Sequence, residues 1–230
     1  MATLPPRPSS TEPPAADTTR AALVRAALTL FGSQGFEGTS TREVAALANA
    51  NIGSIAYHFG NKEGLRIAVA DFIAETMQTI ALQAIGGLDG PAAKPAGAEA
   101  ARAQLLTGLE RLIAFIIARP EAGDIVRFVL REMSQPSAAL DRIYNGVFEP
   151  AHRRLCLIWE EATGEPAESE RTRLTVFTLL GQALYFRIGA EVVKRRMGWE
   201  TFGEAEAGKV ADVVRDNLLT ILSSRIGSDA

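Results

Sequence analysis

The sequence predicts an all-α protein, with a small N-terminal three-helix unit ahead of a larger C-terminal helical bundle. Three observations predict it. Alanine and leucine are abundant, and β-branched runs between turn signals are scarce. From about residue 18 onward, apolar residues recur at helical spacing in one segment after another. Pro120, Pro136, Pro150, Pro166, Gly164 and Gly203 fall between those segments, where proline opens a helix and glycine closes one. A chain of 230 residues is long enough for one or two domains with a proper core.

Residues 1–17, MATLPPRPSSTEPPAAD, are too rich in proline, serine and threonine for a helix interior and are expected to form a disordered arm. Residues 18–65 form the first unit and 66–230 the second. Helix one is predicted from about Thr19 to Ser33, with Leu23, Ala27, Leu30 and Phe31 on one face, Gly35 as its stop and Phe36 beside the core. A helix-turn-helix follows. Ser40 and Glu43 make a Ser-x-x-Glu capping box, and Val44, Leu47 and Ala48 continue the helical period. Asn51 is placed to cap a second helix that runs from about Ile52 to Phe59. Gly60 stops it, Asn61 caps the next helix, and that helix runs on to about Ile85. Residues 86–97, GGLDGPAAKPAG, read as a loop.

Within this unit, Arg42 and Lys62 each sit in the first turn of a helix, where a cation opposes the helix dipole. Both become useful if phosphate lies against those helix ends. Gly53 sits in the first turn of a short helix, at a cost of about 1 kcal/mol against alanine, and suits a close backbone approach to DNA. The run Tyr57-His58-Phe59-Gly60-Asn61-Lys62-Glu63-Gly64-Leu65, with Phe31, Gly35, Phe36, Thr39 to Arg42, Val44, Ala45, Ala48, Gly53 and Ile55, resembles the DNA-binding domain of TetR-type transcriptional repressors. Asn49, Ala50 and Asn51 stand where that family usually has glycine, a valine-like residue and serine or threonine, and Ala56 replaces a frequent tyrosine. The resemblance implies DNA contacts from Thr41, Arg42, Gly53, Ser54, Tyr57, His58 and Lys62. Ile52 belongs to the core by spacing and to the DNA side by the resemblance.

The second unit is predicted as helices at about 98–118, 122–134, 137–148, 150–163, 167–195 and 205–225. Arg131, Glu132, Pro136, Ser137, Phe148 and Pro150 make the stretch around 125–160 similar to the ligand-binding part of the CecR-like subgroup of the family. That implies a repressor released by a small-molecule effector. Phe128, Arg131 and Tyr144 are the expected ligand contacts, on the pattern of aromatics with a few polar groups. The closing helices carry apolar stripes wider than one neighbour would cover, and Gly181 would let another helix approach. Phe177, Gly181, Leu184, Val214 and Leu218 are expected to form a homodimer interface.

Composition narrows the alternatives. A net charge of −3 confines any basic DNA-binding face to part of the chain. Cys156 is the single cysteine, so no intrachain disulfide forms. Glu149, His152 and Cys156 share a helix face, but a lone cysteine is usually a small buried hydrophobe, and no metal or cofactor is expected. The N-terminus has no apolar h-region and no apolar run spans a bilayer, so a cytoplasmic protein without membrane contact is expected. Glycine-rich phosphate loops, Gly-x-Ser-x-Gly and His-Glu-x-x-His are missing, which argues against an enzyme. The competing reading is a helical module that docks protein instead of double-stranded operator DNA.

Overall fold

The computed structural model describes residues 15–87 and 97–226. Residues 1–14 of the expected arm and 88–96 of the expected loop lie outside the described residues, and Ala15–Asp17 form the first turn of the first helix. The helices are α1 (Ala15–Gln34), α2 (Thr41–Leu47), α3 (Gly53–Phe59), α4 (Lys62–Ile85), α5 (Ala98–Ile113), α6 (Pro120–Ser134), α7 (Ala138–Ile143), α8 (Glu149–Thr163), α9 (Glu170–Ile188), α10 (Ala190–Met197) and α11 (Glu204–Ile226). The described residues contain no strand. No single helix among them is long and apolar enough to cross a membrane.

Two boundaries differ from the sequence reading. The break expected at Pro150 is a wide π turn, Tyr144–Phe148, that carries α7 straight into α8. Proline has no N–H to give the Gly146 carbonyl four residues back, and that oxygen accepts the Gln78 side chain instead, at 3.3 Å. A second π turn, Ala114–Ala118, ends α5, and Arg119 is extended before Pro120, as the residue before a proline must be. The helix expected over 167–195 is two helices, α9 and α10, bent by 76°. Gly189 lies at the break, against the Tyr185 carbonyl and ring, where a Cβ would come within 3.2 Å.

The apolar side chains form two cores. One holds Leu23, Phe31, Val44, Ile55, Leu65, Val69 and Ile73, joined by Ile125, Phe128, Ile143 and Val147 from the second half. The other gathers Leu105, Ile113, Trp159, Val176, Val210, Val214, Leu218 and Leu222 from α5, α8, α9 and α11. Phe115 packs against both. The first core does not stop at residue 65. It takes its floor from α6 and α7, so the two units share a packed boundary.

Candidate nucleic-acid interface

The helix-turn-helix is built from local hydrogen bonds. The Glu43 backbone N–H donates to the Ser40 hydroxyl at 3.2 Å, and the Ser40 N–H donates to the Glu43 carboxylate at 2.7 Å. Asn49 turns the chain at φ +50°, a left-handed conformation that asparagine tolerates where the family usually has glycine. The Asn51 side chain accepts from the Gly53 N–H at 2.8 Å, but α3 starts one residue later than expected, so Ile52 stands at its N-cap without a side-chain cap and Asn51 acts from one residue before it. Asn61 caps α4 directly, through Gly64 at 2.8 Å. A Cβ on Gly64 would overlap the Phe59 carbonyl, so α4 can follow α3 this closely only with glycine there.

Around this frame, Arg42, Gly53 and Tyr57 are exposed, and Thr41, Ser54, His58 and Lys62 are half-buried. Tyr57 is 82% exposed with its ring edge-on to His58. The Lys62 ammonium lies 4.2 Å from the centre of the Phe36 ring, which also carries the Arg66 guanidinium at 4.4 Å. Ile55 is the inward anchor of α3, whereas Ile52 is 47% exposed and so faces away from the core.

The three expected ligand contacts are not brought together. Phe128 is fully buried against Phe31 in the N-terminal core. Arg131 is exposed, and its guanidinium turns back to donate to the Gly32 and Ser33 carbonyls at 2.8 and 2.6 Å, which places a cation on the C-terminus of α1. Tyr144 faces solvent on the π turn. No one pocket among the described residues is lined by all three. Spacing marked Phe128 and Arg131 as apolar or unusual without saying that α1 would occupy the space beside them.

Sequence reasoning missed Glu132 as a hub. Its buried carboxylate accepts both Arg66 nitrogens at 2.8 Å and the Ser137 hydroxyl at 2.6 Å, and Ser137 in turn caps α7. Thr29 donates to Asp124 at 2.6 Å, and a Cβ on Gly32 would lie 3.2 Å from the Asp124 carbonyl. Helix α6 is thus fastened to α1, α4 and α7. The far end of α4 is held as well, by Gln104, which donates to the Ile85 carbonyl at 2.8 Å, and by Arg111, which donates to the Gln83 carbonyl at 2.5 Å.

The expected interface residues divide. Phe177 is 60% exposed, Gly181 opens onto empty space and Leu184 is half-buried. Val214 and Leu218 are buried inside the second core. Within the subunit, Val210, Val214, Leu218 and Leu222 form the inner stripe of α11, and Val213 and Asn217 lie on its outer side. A hollow open to solvent lies between α9 and α11, lined by Gly181, Tyr185, Val213 and Asn217 among others. On α8, Glu149 pairs with Arg153, and burial pushes the Cys156 thiol up to about 11, so it is a protonated buried group 3.7 Å from the His152 ring nitrogen.

Residues 23–69 match the family model for bacterial regulatory proteins of the tetR family, and residues 101–224 match that for the C-terminal domain of the HTH-type transcriptional dual regulator CecR. CecR of Shigella flexneri is 33% identical over 204 residues, covering 87% of this chain and 89% of that protein. The HTH-type transcriptional repressor NicS of Pseudomonas putida is 40% identical over 58 residues, 25% of this chain and 27% of its own. The fold is shared with a TetR-like transcriptional regulator from Rhodococcus sp. RHA1, at a TM-score of 0.62 and 18% identity over 89% of this chain and 96% of that one. It is shared equally with AibR, solved in complex with isovaleryl coenzyme A and operator DNA, at a TM-score of 0.62 and 18% identity over 86% of this chain and 96% of that one. With both halves matched and one relative similar along nearly its whole length, the chain belongs to the TetR family of transcriptional regulators, in its CecR-like branch.

Proposed function

We propose that this regulator binds a palindromic operator as a homodimer and releases it when a small molecule shifts the C-terminal unit. The observation that carries this reading is the fastening of α4. Its first turns belong to the DNA-binding core, and its length is tied to α6 by Arg66–Glu132 and to α5 at its far end. A displacement of α6 or α5 therefore tilts the helix-turn-helix. In a dimer, that changes the distance between two recognition helices that must reach half-sites one helical turn apart. AibR, crystallised with both an acyl coenzyme A and operator DNA, shares this fold and supports an effector of small-molecule kind.

Thr41, Tyr57, His58 and Lys62 hold phosphates in this proposal, and Arg42 and Ser54 reach base edges beside Gly53. The dimer forms through the outer faces of α9 and α11, where Leu174, Phe177, Tyr185, Ile188 and Val213 are each more than half exposed. A gel shift with DNA from the protein's own promoter region tests the proposal. Lys62→Ala weakens binding to every duplex and lowers the salt slope by about 1, as expected for one phosphate. Arg42→Ala relaxes preference at particular base pairs by about 1–3 kcal/mol. Unchanged binding by both variants would overturn the assignment, and failure of wild type to shift any duplex would favour a protein-docking module.

A further inference from the structure

The outward stripe of α3 is nearly devoid of hydrogen-bonding side chains. The exposed positions of the helix and its flanks are Asn51, Ile52, Gly53, Ala56, Tyr57 and Gly60. Gly53 and Gly60 have no side chain, and Ile52 and Ala56 offer only methyl and methylene groups. The Asn51 carbonyl oxygen is engaged by the Gly53 N–H, so its amide is not free for the two-pronged contact that asparagine makes with adenine. Ser54 and His58 are half-buried at the margins of the stripe, and Tyr57 stands at its edge with its ring against His58.

Leaving an isoleucine 47% exposed at the head of a recognition helix has no use within the subunit, because the inward anchors of α3 are Ile55 and Phe59. Among the groups that a major groove presents, only the thymine C5-methyl is apolar. Lys62 follows the stripe, so a phosphate held there would seat the helix with its apolar strip against the base edges, and Arg42 precedes it, free to reach a base edge of its own.

We propose, resting on the operator-binding reading above, that α3 selects its half-site through thymine methyl groups, with Ile52 the principal reader and Ala56 the second. One turn of helix separates the two, about 6 Å along the axis, so the methyls they meet lie about two base-pair steps apart. The operator half-site is then thymine-rich where the outward stripe of α3 lies and takes its hydrogen-bonded base contacts from Arg42 and from Ser54 at the margin of the stripe.

The test uses the full-length protein and duplexes enriched from a randomised pool by repeated binding. Each thymine is replaced in turn by deoxyuridine, which removes the methyl and leaves every hydrogen-bonding group. One or two positions per half-site should weaken wild-type binding by about fourfold each, the effect of one buried methyl. Ile52→Ala should lose that sensitivity at one position and bind the fully deoxyuridine duplex as wild type does. A thermal melt like that of wild type shows that this exposed substitution leaves the fold intact. If wild type binds an enriched duplex tightly and no deoxyuridine matters, or if Ile52→Ala stays sensitive at every position, methyl reading is overturned while operator binding stands. A pool that never enriches would remove both.

Discussion

Between Ser40 and Leu65 the polar contacts close over two or three residues: Ser40 with Glu43, Asn51 with Gly53, Asn61 with Gly64. In the last turn of α6 they reach from Arg131 back to Gly32 and Ser33, and from Glu132 to Arg66, across 66 to 99 residues. The first region can be read from residue types at fixed offsets, because a cap finds its partner one turn away whatever the rest of the chain does. The second depends on which helix arrives alongside, and no offset encodes that. Of the residues that resemble the CecR-like branch, Arg131 and Glu132 belong to this second kind, and Ser137 joins them locally through Glu132, five residues away. They fasten the N-terminal unit to the C-terminal one and do not line a shared pocket.

The largest test of this contrast lies in α11. Leu218 is 1% exposed in the second core, and Phe177 is 60% exposed on the outer face of α9. Leu218→Asp should cost about 4 kcal/mol or more and unfold the C-terminal unit, since it combines a lost core side chain with a buried charge. Phe177→Asp should leave the melt nearly unchanged and shift sedimentation toward monomer. If Leu218→Asp folded as a stable monomer, Leu218 would return to the interface where spacing had put it.

Glu132→Ala comes next. It takes from the Arg66 guanidinium, whose side chain is 12% exposed, its buried partner, leaving it Glu63 at 3.8 Å and the Phe36 ring, and removes the anchor of Ser137. Truncating one partner of a buried pair costs about 3–5 kcal/mol, read by urea denaturation. Glu132→Gln keeps an acceptor for Ser137 and should lose less. A loss under about 1 kcal/mol in Glu132→Ala would mean that α6 and α4 are held by apolar packing alone, and the coupling proposed through this pair would fail.

Arg131→Ala should cost about 1 kcal/mol, because its guanidinium is exposed and its partners are carbonyls at a helix end that water can also serve. The informative readout is the operator-release curve against effector concentration. Loosened α1–α6 contact should change the effector needed for half-release and leave the affinity of effector-free protein within about threefold.

The fold class, the three-helix unit and the caps at Ser40 and Asn61 were legible because periodicity and capping are local. Even the departures at Asn49 and Asn51 stay within local physics: asparagine accepts φ +50°, and its side chain accepts from the Gly53 N–H. The exposure of Ile52 was not legible from spacing, which fits the core; the resemblance turned it outward, and packing shows Ile55 taking the inner place. Nor was the bend at Gly189, where an interior glycine in an apolar run reads as a packing residue until Tyr185 is seen against it. On α11 the same reason hid which valine faces inward: Val213 and Val214 are equally apolar, and only the neighbours of Val214 separate inner from outer.

The smallest effect belongs to the local region and has a definite sign. The Ser40 side chain first, and its backbone N–H second, hold the Glu43 carboxyl below its usual 4.5 in the folded protein. A carboxyl depressed by folding stabilises the native state above the unfolded value and loses that contribution as pH falls through the lower folded value. The capping box therefore weakens below about pH 4.5, a window in which many other carboxylates titrate too. Glu43→Gln isolates it, because glutamine keeps an acceptor for the Ser40 N–H and carries no proton equilibrium. Wild type should hold a small lead in melting temperature at about pH 6 that disappears toward about pH 3. Parallel pH dependence in the two proteins would show that the box is held by geometry alone, and that even the most legible contact in the chain contributes no charge-dependent stability.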